Sequence, residues 1–448
     1  MQNVFASFFV YNAYLLDITP SCAYAENMDN KIYEGCLAAL HDELVPAMGC
    51  TEPVAVAYAA ALARKTLGAL PQSACVSVSG NILKNVKSVI VPNTGGMRGI
   101  AAATAAGIIS GRADLKLEVL SVLNEEGIKD IKDFLASHKI AVEQSQSGCV
   151  FDIGVTLKSG GDEVFVRITG DHTNVVRIER CGEVVFDKEV DGGEEGALAR
   201  FKSEVCVKDI VEFVDNVKLS DIEPLISRQI ELNGKIAEEG LKNDYGARIG
   251  RILIDAFGTD VHNLAKATAA AGSDARMNGC ELPVVIVSGS GNQGMAASLP
   301  VVVYAKHLGA SREKLIRAVA LSDLITIHLK AGIGCLSAYC GAVSAGCGAG
   351  AGVCYLRGGG FDEIAHTVVN ALAIQSGVIC DGAKSSCAAK VASAVEAGLV
   401  AMEMYSRGSQ FLGGDGILEK GVENTIRNVG ELARNGMRET DAEIIRMM

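Results

Sequence analysis

The chain has 448 residues, with 53 acidic side chains against 41 Lys and Arg and a formal net charge of −12. That length admits two or three domains. The charge, with no stripe of Lys or Arg anywhere, argues against a nucleic-acid-binding surface. Fourteen Cys, 50 Gly and 49% hydrophobic residues are present, the glycines set among Ala, Val and Ile and not in low-complexity tracts. This is the composition of tightly packed helices and backbone-built sites in a cytoplasmic protein acting on small molecules, not of a short secreted disulfide scaffold.

The first stretch, MQNVFASFFVYNAYLLDITPSCAYAEN, holds an apolar run and an Ala-Tyr-Ala tripeptide. No Lys or Arg precedes the run, so the basic start of an export signal is missing. Met28 reads as an alternative start and residues 1–27 as an upstream extension. From 30 to 67 the pattern is helical, with Pro46 inside the first segment and GCTEP (49–53) breaking it. Thr51 is the expected N-cap, and Pro53 falls early in the new helix, where a missing N–H costs little. Such a helix start exposes amides that draw an anion and lower the pKa of a nearby thiol, and Cys50 sits there. The alternative is a passive cysteine at a structural kink.

From 74 to 190 the texture is α/β. Strands are expected at 74–79, 86–91, 115–120, 141–146, 150–157, 163–169, 174–179 and 183–189, with helices at 100–109 and 125–137. The loop GDHTN (170–174) carries His172 among small polar residues, a candidate site group between two strands. The acidic, Gly-rich run 191–196 reads as a boundary.

After Val207 the period is helical: 207–217, 220–243, 246–257, 261–271, 315–330, 361–374, 385–405 and 422–435, with a polar break at 272–277. The loop SGSGNQG (288–294) matches GxGxxG at Gly289, Gly291 and Gly294, but lacks both the Lys-Ser/Thr pair of a phosphate loop and a βαβ context. A loop that holds a carboxylate is the better reading than a dinucleotide site; a plain tight turn is the alternative. The run 331–356 is uncharged and long enough to cross a bilayer, but its Gly, Ala and Cys suit a buried helix hairpin. GVICDGAKSSC (377–387) sets Cys380 and Cys387 around a turn, with Cys340 upstream in LSAYC (336–340). Three such thiols either grip a metal or cluster, or are buried small residues of a helical core.

Taken in order, GCTEP, GDHTN, SDARM (273–277), SGSGNQG, LSAYC and GVICDGAKSSC resemble the L-cysteine desulfidase family, related to the α chain of the iron–sulfur L-serine dehydratases. The resemblance runs from about Met28 to the C-terminus. It implies a [4Fe–4S] enzyme that removes sulfide from L-cysteine to leave pyruvate and ammonia. Cys340, Cys380 and Cys387 would be the cluster ligands and Cys50 the catalytic proton acceptor. Thr51, Glu52, His172, Thr173, Asn174, Ser288, Ser290 and Asn292 would bind the substrate. Cys335, Cys347 and Cys354 fall outside the family's ligand pattern. L-serine dehydration is the alternative activity, a non-catalytic cluster sensor a further one, and pyridoxal phosphate is not called for. The expected fold is α+β: a mainly helical catalytic domain (28–72 and 196–448) with an inserted α/β sandwich (73–195). A small amino-acid substrate, no nucleic acid, no membrane and a homodimer complete the expectation.

Overall fold

The computed structural model describes residues 29–188, 197–334 and 336–448. The extension 1–27, the 195/196 boundary and Cys335 lie outside them. The protein is an α+β fold: a six-stranded mixed sheet, a second sheet of two short strands, and many packed helices. Among the described residues no helix is long and apolar enough to cross a membrane.

The large sheet runs Ile140–Gln144, Ser73–Val78, Asp152–Ser159, Asp162–Thr169, Val175–Arg180, Glu183–Asp187. The first pair is parallel and every other pair antiparallel. The last four strands follow one another through short turns, as alternating strands with Gly-containing connections do. The helix Thr51–Leu67 lies against this sheet and against the helix Gly99–Ser110. Their backbones meet at Gly107, where a Cβ would fall 2.0 Å from the Ala57 carbonyl oxygen.

Three expectations are corrected here. Residues 86–91 form no strand: Ser79 caps a helix over Gly80–Val86, and only an isolated bridge from Ile90 to Arg98 follows. Residues 113–118 form a 3-10 helix, with Leu117, Val119 and Leu120 buried. Each run is apolar enough for a strand, but neither has a neighbouring strand to take its backbone groups. Pro46 stands not in a helix but in the strand Pro46–Met48, paired antiparallel with Pro283–Val285.

The Gly-rich run 331–356 is the end of the helix Arg312–Ile333, a connection, and the helix Ala342–Leu356. That last helix is almost wholly buried, and its glycines show why it carries no charge. Gly346 and Gly350 face the helix Cys387–Ser406: a Cβ on either would fall 2.1 Å from the Ala394 oxygen or 2.5 Å from the Gly398 oxygen. Gly348 and Gly352, half a turn round, face Arg312–Ile333 at 2.4 Å from the Ser322 oxygen and 2.8 Å from the Ala318 oxygen. Residues four apart share one helix face, so two interleaved Gly pairs let two backbones close in from opposite sides.

Candidate active site

The pairing of 46–48 with 283–285 decides where the site lies. It ties the segment that enters GCTEP to the segment that enters SGSGNQG, antiparallel and in register Pro46↔Val285 and Met48↔Pro283. Gly49 takes φ +57, and a Cβ there would strike Pro92 at 2.2 Å, so only glycine fits this corner. The helix then opens at Thr51 with Cys50 as its N-cap, one residue earlier than expected. Thr51 Oγ1 donates to the Gly289 carbonyl at 2.8 Å and locks the two motifs together. In SGSGNQG the backbone turns through Ser288, at φ +48, and Gly289 before the helix Gly291–Leu308 begins. A non-glycine residue held at positive φ stores strain of the kind found at functional sites.

The three GxGxxG glycines are each required by a close approach and not by a nucleotide. A Cβ on Gly289 would lie 2.8 Å from His172 Cε1, one on Gly291 2.4 Å from Arg276 Nε, and one on Gly294 2.1 Å from the Val285 oxygen. The loop thus makes room for an imidazole and a guanidinium.

All of this faces a cavity of about 100 Å³. Its lining includes Cys50, Glu52, Asn85, His172 and Arg276 together with Cys340, Cys380 and Cys387, and Cys387 packs against the small cluster formed by Cys50, Val89 and Met277. Cys340 and Cys380 stand on two segments joined by a short antiparallel ladder. Tyr339 bridges Ile379, the Cys340 amide donates to the Val378 oxygen at 3.0 Å, and the Cys380 amide donates to the Ala338 oxygen at 2.6 Å. Cys387 opens the next helix, its amide on the Lys384 oxygen at 2.9 Å. The intervening turn is held by Asp381, paired with both Lys384 and Lys390. Burial opposes that carboxylate's charge, but the two ammonium groups overcome it and hold its pKa at about 2. Burial pushes the Cys340 thiol up to about 12, and the neighbouring Cys380 and Cys387 sulfurs add to this, so the three thiols lie within electrostatic reach of one another.

A second support comes from the C-terminal helix Arg438–Met447. Lys84, almost fully buried, donates to the Cys380 carbonyl at 3.1 Å and to Asp441 at 2.5 Å. Removing either partner strands the other charge, and the cost follows the burial of the group left behind: the Lys84 side chain is 1% exposed and that of Asp441 15%. Asp441→Ala is therefore expected to cost about 3–5 kcal/mol and Lys84→Met less. Urea unfolding midpoints that rank the two variants the other way would refute this.

In the same cavity, the Cys50 thiol donates to Glu52 Oε2 at 3.0 Å, and Asn85 Nδ2 donates to Glu52 Oε1 at 2.9 Å. The expected lowering of the Cys50 pKa is not found. Burial raises it well above the ordinary thiol range, the Glu52 charge raises it further, and Arg276 only partly opposes them. Burial also works against the Glu52 charge, but His172, the Cys50 hydrogen bond and Arg276 outweigh it and lower that pKa. The resting pair is a thiol and a carboxylate.

Of the residues expected in the site, Cys50, Glu52, His172, Ser288, Ser290, Asn292, Cys340, Cys380 and Cys387 line the cavity; Thr51, Thr173 and Asn174 do not. Thr51 is spent on Gly289 and Glu52. The Thr173 amide bonds to Asp171, and Asn174 Nδ2 bonds to the Thr169 oxygen, so both shape the turn that presents His172. Arg276 and Asn85 were not expected. Residues 272–277 are no break: the helix Val261–Met277 runs through them, and Asp274 accepts from the Gly250 amide at 3.0 Å. The available signal was three polar side chains, Ser273, Asp274 and Arg276, ending an Ala-rich buried helix.

Five buried polar atoms on the cavity's lining residues have no partner: Asn85 Oδ1, His172 Nε2, Arg276 Nε, Asn292 Oδ1 and Gln293 Oε1. Buried polar groups are ordinarily hydrogen-bonded, so so many orphans at one cavity mark a site for a polar ligand.

Residues 114–446 match the family model described as serine dehydratase alpha chain. The chain belongs to the serine dehydratase alpha chain family. It is 53% identical over 426 residues to a UPF0597 protein of Desulfitobacterium hafniense (strain Y51), covering 95% of this chain and 98% of the relative. A UPF0597 protein of Lachnoclostridium phytofermentans is 48% identical, covering 93% and 100%. One from Treponema denticola is 43% identical, covering 94% and 99%. The serine dehydratase alpha chain match takes in His172, Arg276, SGSGNQG and the three cavity cysteines, and begins after GCTEP.

Proposed function

We propose that this protein is a lyase catalysing α,β-elimination of L-cysteine to pyruvate, ammonia and sulfide, with a [4Fe–4S] cluster on Cys340, Cys380 and Cys387. The observation that carries the reading is the cavity itself: three cysteines from two chain segments line the same cavity as the hydrogen-bonded Cys50–Glu52 pair. Among the described residues no three His, Cys, Asp or Glu side chains are grouped to hold a single metal ion. Three thiols lining one cavity have the donor chemistry of a cluster, in which each cysteine binds a different iron. When bound by three cysteines, such a cluster keeps one iron without a protein ligand and supplies Lewis acidity toward the β-substituent.

The chain's own part is to bind the substrate, exclude water and move a proton. The hydrogen bond from Cys50 Sγ to Glu52 Oε2 gives the thiol proton a place to go. The raised Cys50 and lowered Glu52 pKa keep that proton on sulfur at rest, so the two transfers are coupled: as the Cys50 sulfur takes the Cα proton its own passes to Glu52, and the electron pair left on carbon expels the β-substituent. Asn85, bonded to the other Glu52 oxygen, holds that carboxylate in line.

Cys50→Ala and Glu52→Gln are each expected to slow pyruvate formation by about 10²–10⁴-fold, the range of a general base, with bound iron unchanged. A Cys50→Ala protein at full rate would remove that thiol from the reaction.

L-serine is the second reading, favoured by the description of the matched family. Anaerobic turnover of L-cysteine against L-serine on one reconstituted sample separates the two. Bound iron with turnover of neither would leave a cluster protein that is not a lyase.

A further inference from the structure

We propose that Arg276 is the carboxylate anchor of this cavity, and that the site takes a compact 2-amino acid with one carboxylate. The inference rests on the amino-acid lyase reading and names the group that recognises its substrate. Arg276 is 4% exposed, yet it has no hydrogen-bond or ion-pair partner among the described residues, and its Nε is fully buried and unmatched. A buried guanidinium without a counter-ion is costly, because arginine stays charged at every physiological pH.

Its setting shows what the cost secures. The Arg276 guanidinium lies against Gly291, the first residue of the helix Gly291–Leu308, in space that only glycine leaves open. The first amides of that helix have no carbonyl ahead of them to bond. A planar cation beside a helix N-terminus matches a carboxylate, which accepts two parallel N–H bonds from arginine. Arg276 is also near enough to Cys50 and Glu52 for its charge to act on both. A carboxylate held there places the attached Cα beside the proton-transfer pair.

Among the described residues the other cationic groups of the cavity face partners. Lys390 is bonded to Asp381 and the Ile379 carbonyl, Lys330 to the Gly334 carbonyl, and His172 faces Asp171 through Nδ1 at 3.8 Å. Among the described residues the site therefore offers one unmatched guanidinium, which suits a monocarboxylate. The cavity of about 100 Å³ is shared with the cluster of the proposed function, which favours a small side chain.

The test uses L-alanine, which has the carboxylate, the amine and no leaving group, and ethylamine, which lacks the carboxylate. Both are titrated calorimetrically into anaerobically reconstituted full-length protein. Arg276→Met is expected to bind L-alanine about 30- to 300-fold more weakly, the value of a lost bidentate charge-assisted contact, and Arg276→Lys to recover part of it. Ethylamine binding stays weak and equal in all three proteins. The thermal midpoint of Arg276→Met is expected to hold or rise, since an uncompensated buried charge has gone. L-alanine affinity within threefold of wild type in Arg276→Met overturns the anchor. So does a large fall in midpoint accompanying the loss, which would assign Arg276 to the fold. If the wild type binds L-alanine through Arg276 but turns over neither L-cysteine nor L-serine, the lyase reading fails and the anchor stands.

Discussion

Cys380→Ala protein, reconstituted anaerobically with iron and sulfide, is expected to hold below about a tenth of the wild-type iron and to lose turnover by at least about 10³-fold, because cluster binding needs every thiolate. Cys340→Ala and Cys387→Ala are expected to behave alike. The loss should come without collapse of the fold, since the segments bearing these cysteines are tied by backbone groups. Cys340 and Cys380 are joined through the amide bonds to Val378 and Ala338, and Cys387 is the first residue of a helix. None of those bonds uses a thiol. Cys347 and Cys354 are the controls. Both are buried in the helix Ala342–Leu356 and neither lines the cavity. Burial pushes the Cys347 thiol up to about 12, as for a small apolar core residue. Cys347→Ala should retain iron and turnover. Direct iron and acid-labile sulfide assays on the four proteins decide the matter, and full iron in any of the three ligand variants sinks that assignment.

Gly398→Val is expected to be strongly damaging although it lies away from the cavity. A Cβ at Gly398 would sit 2.0 Å from the Gly346 carbonyl oxygen and 3.2 Å from the Gly350 amide. The obstacle is backbone on the facing helix, so no rotamer change relieves it. The helices Ala342–Leu356 and Cys387–Ser406 would have to part along their contact. Overpacking ordinarily costs about 1–3 kcal/mol; a backbone collision at the centre of the helical body should exceed the top of that range. The movement would also carry Cys387, at the start of the second helix, away from Cys380. The variant is expected to express poorly or melt well below the wild type, and whatever folds should reconstitute poorly. Gly408→Val, with nothing within 4 Å of its Cβ but φ +74, should be far milder. Equal melting temperatures for the Gly398 variant and the wild type would show that the helices tolerate separation.

Much of this arrangement is legible in the residues. The helices Val207–Asn216, Leu219–Lys242, Phe361–Gln375 and Cys387–Ser406 carry their own apolar period and end signals. The strands 152–159, 162–169 and 175–180 alternate along their length and are separated by turn residues. Motif order over nearly the whole chain points to the family before any contact is known. The errors share one cause. Residues 86–91 and 115–120 are runs of strand length with alternating apolar positions, and whether such a run is a strand depends on a partner strand that its own residues do not encode. Residues 272–277 look like a polar break because polarity is read as exposure, whereas tertiary packing buries Asp274 and Arg276.

Cys50 shows the same division. Its place at a helix start is written in GCTEP and implies an acidified thiol. Full enclosure and the Glu52 carboxylate reverse that; the order of residues shows Glu52 two positions on, but neither the burial nor its bond to the thiol. The residues alone establish that thiols, a carboxylate, a histidine and a glycine loop are available, because composition and local period are properties of short segments. Only packing gathers three cysteines with Cys50 and Glu52 around one cavity and leaves Arg276 unmatched at the end of a buried helix, because those groups lie far apart along the chain and meet through contacts such as the Thr51–Gly289 hydrogen bond and the Tyr339–Ile379 bridge.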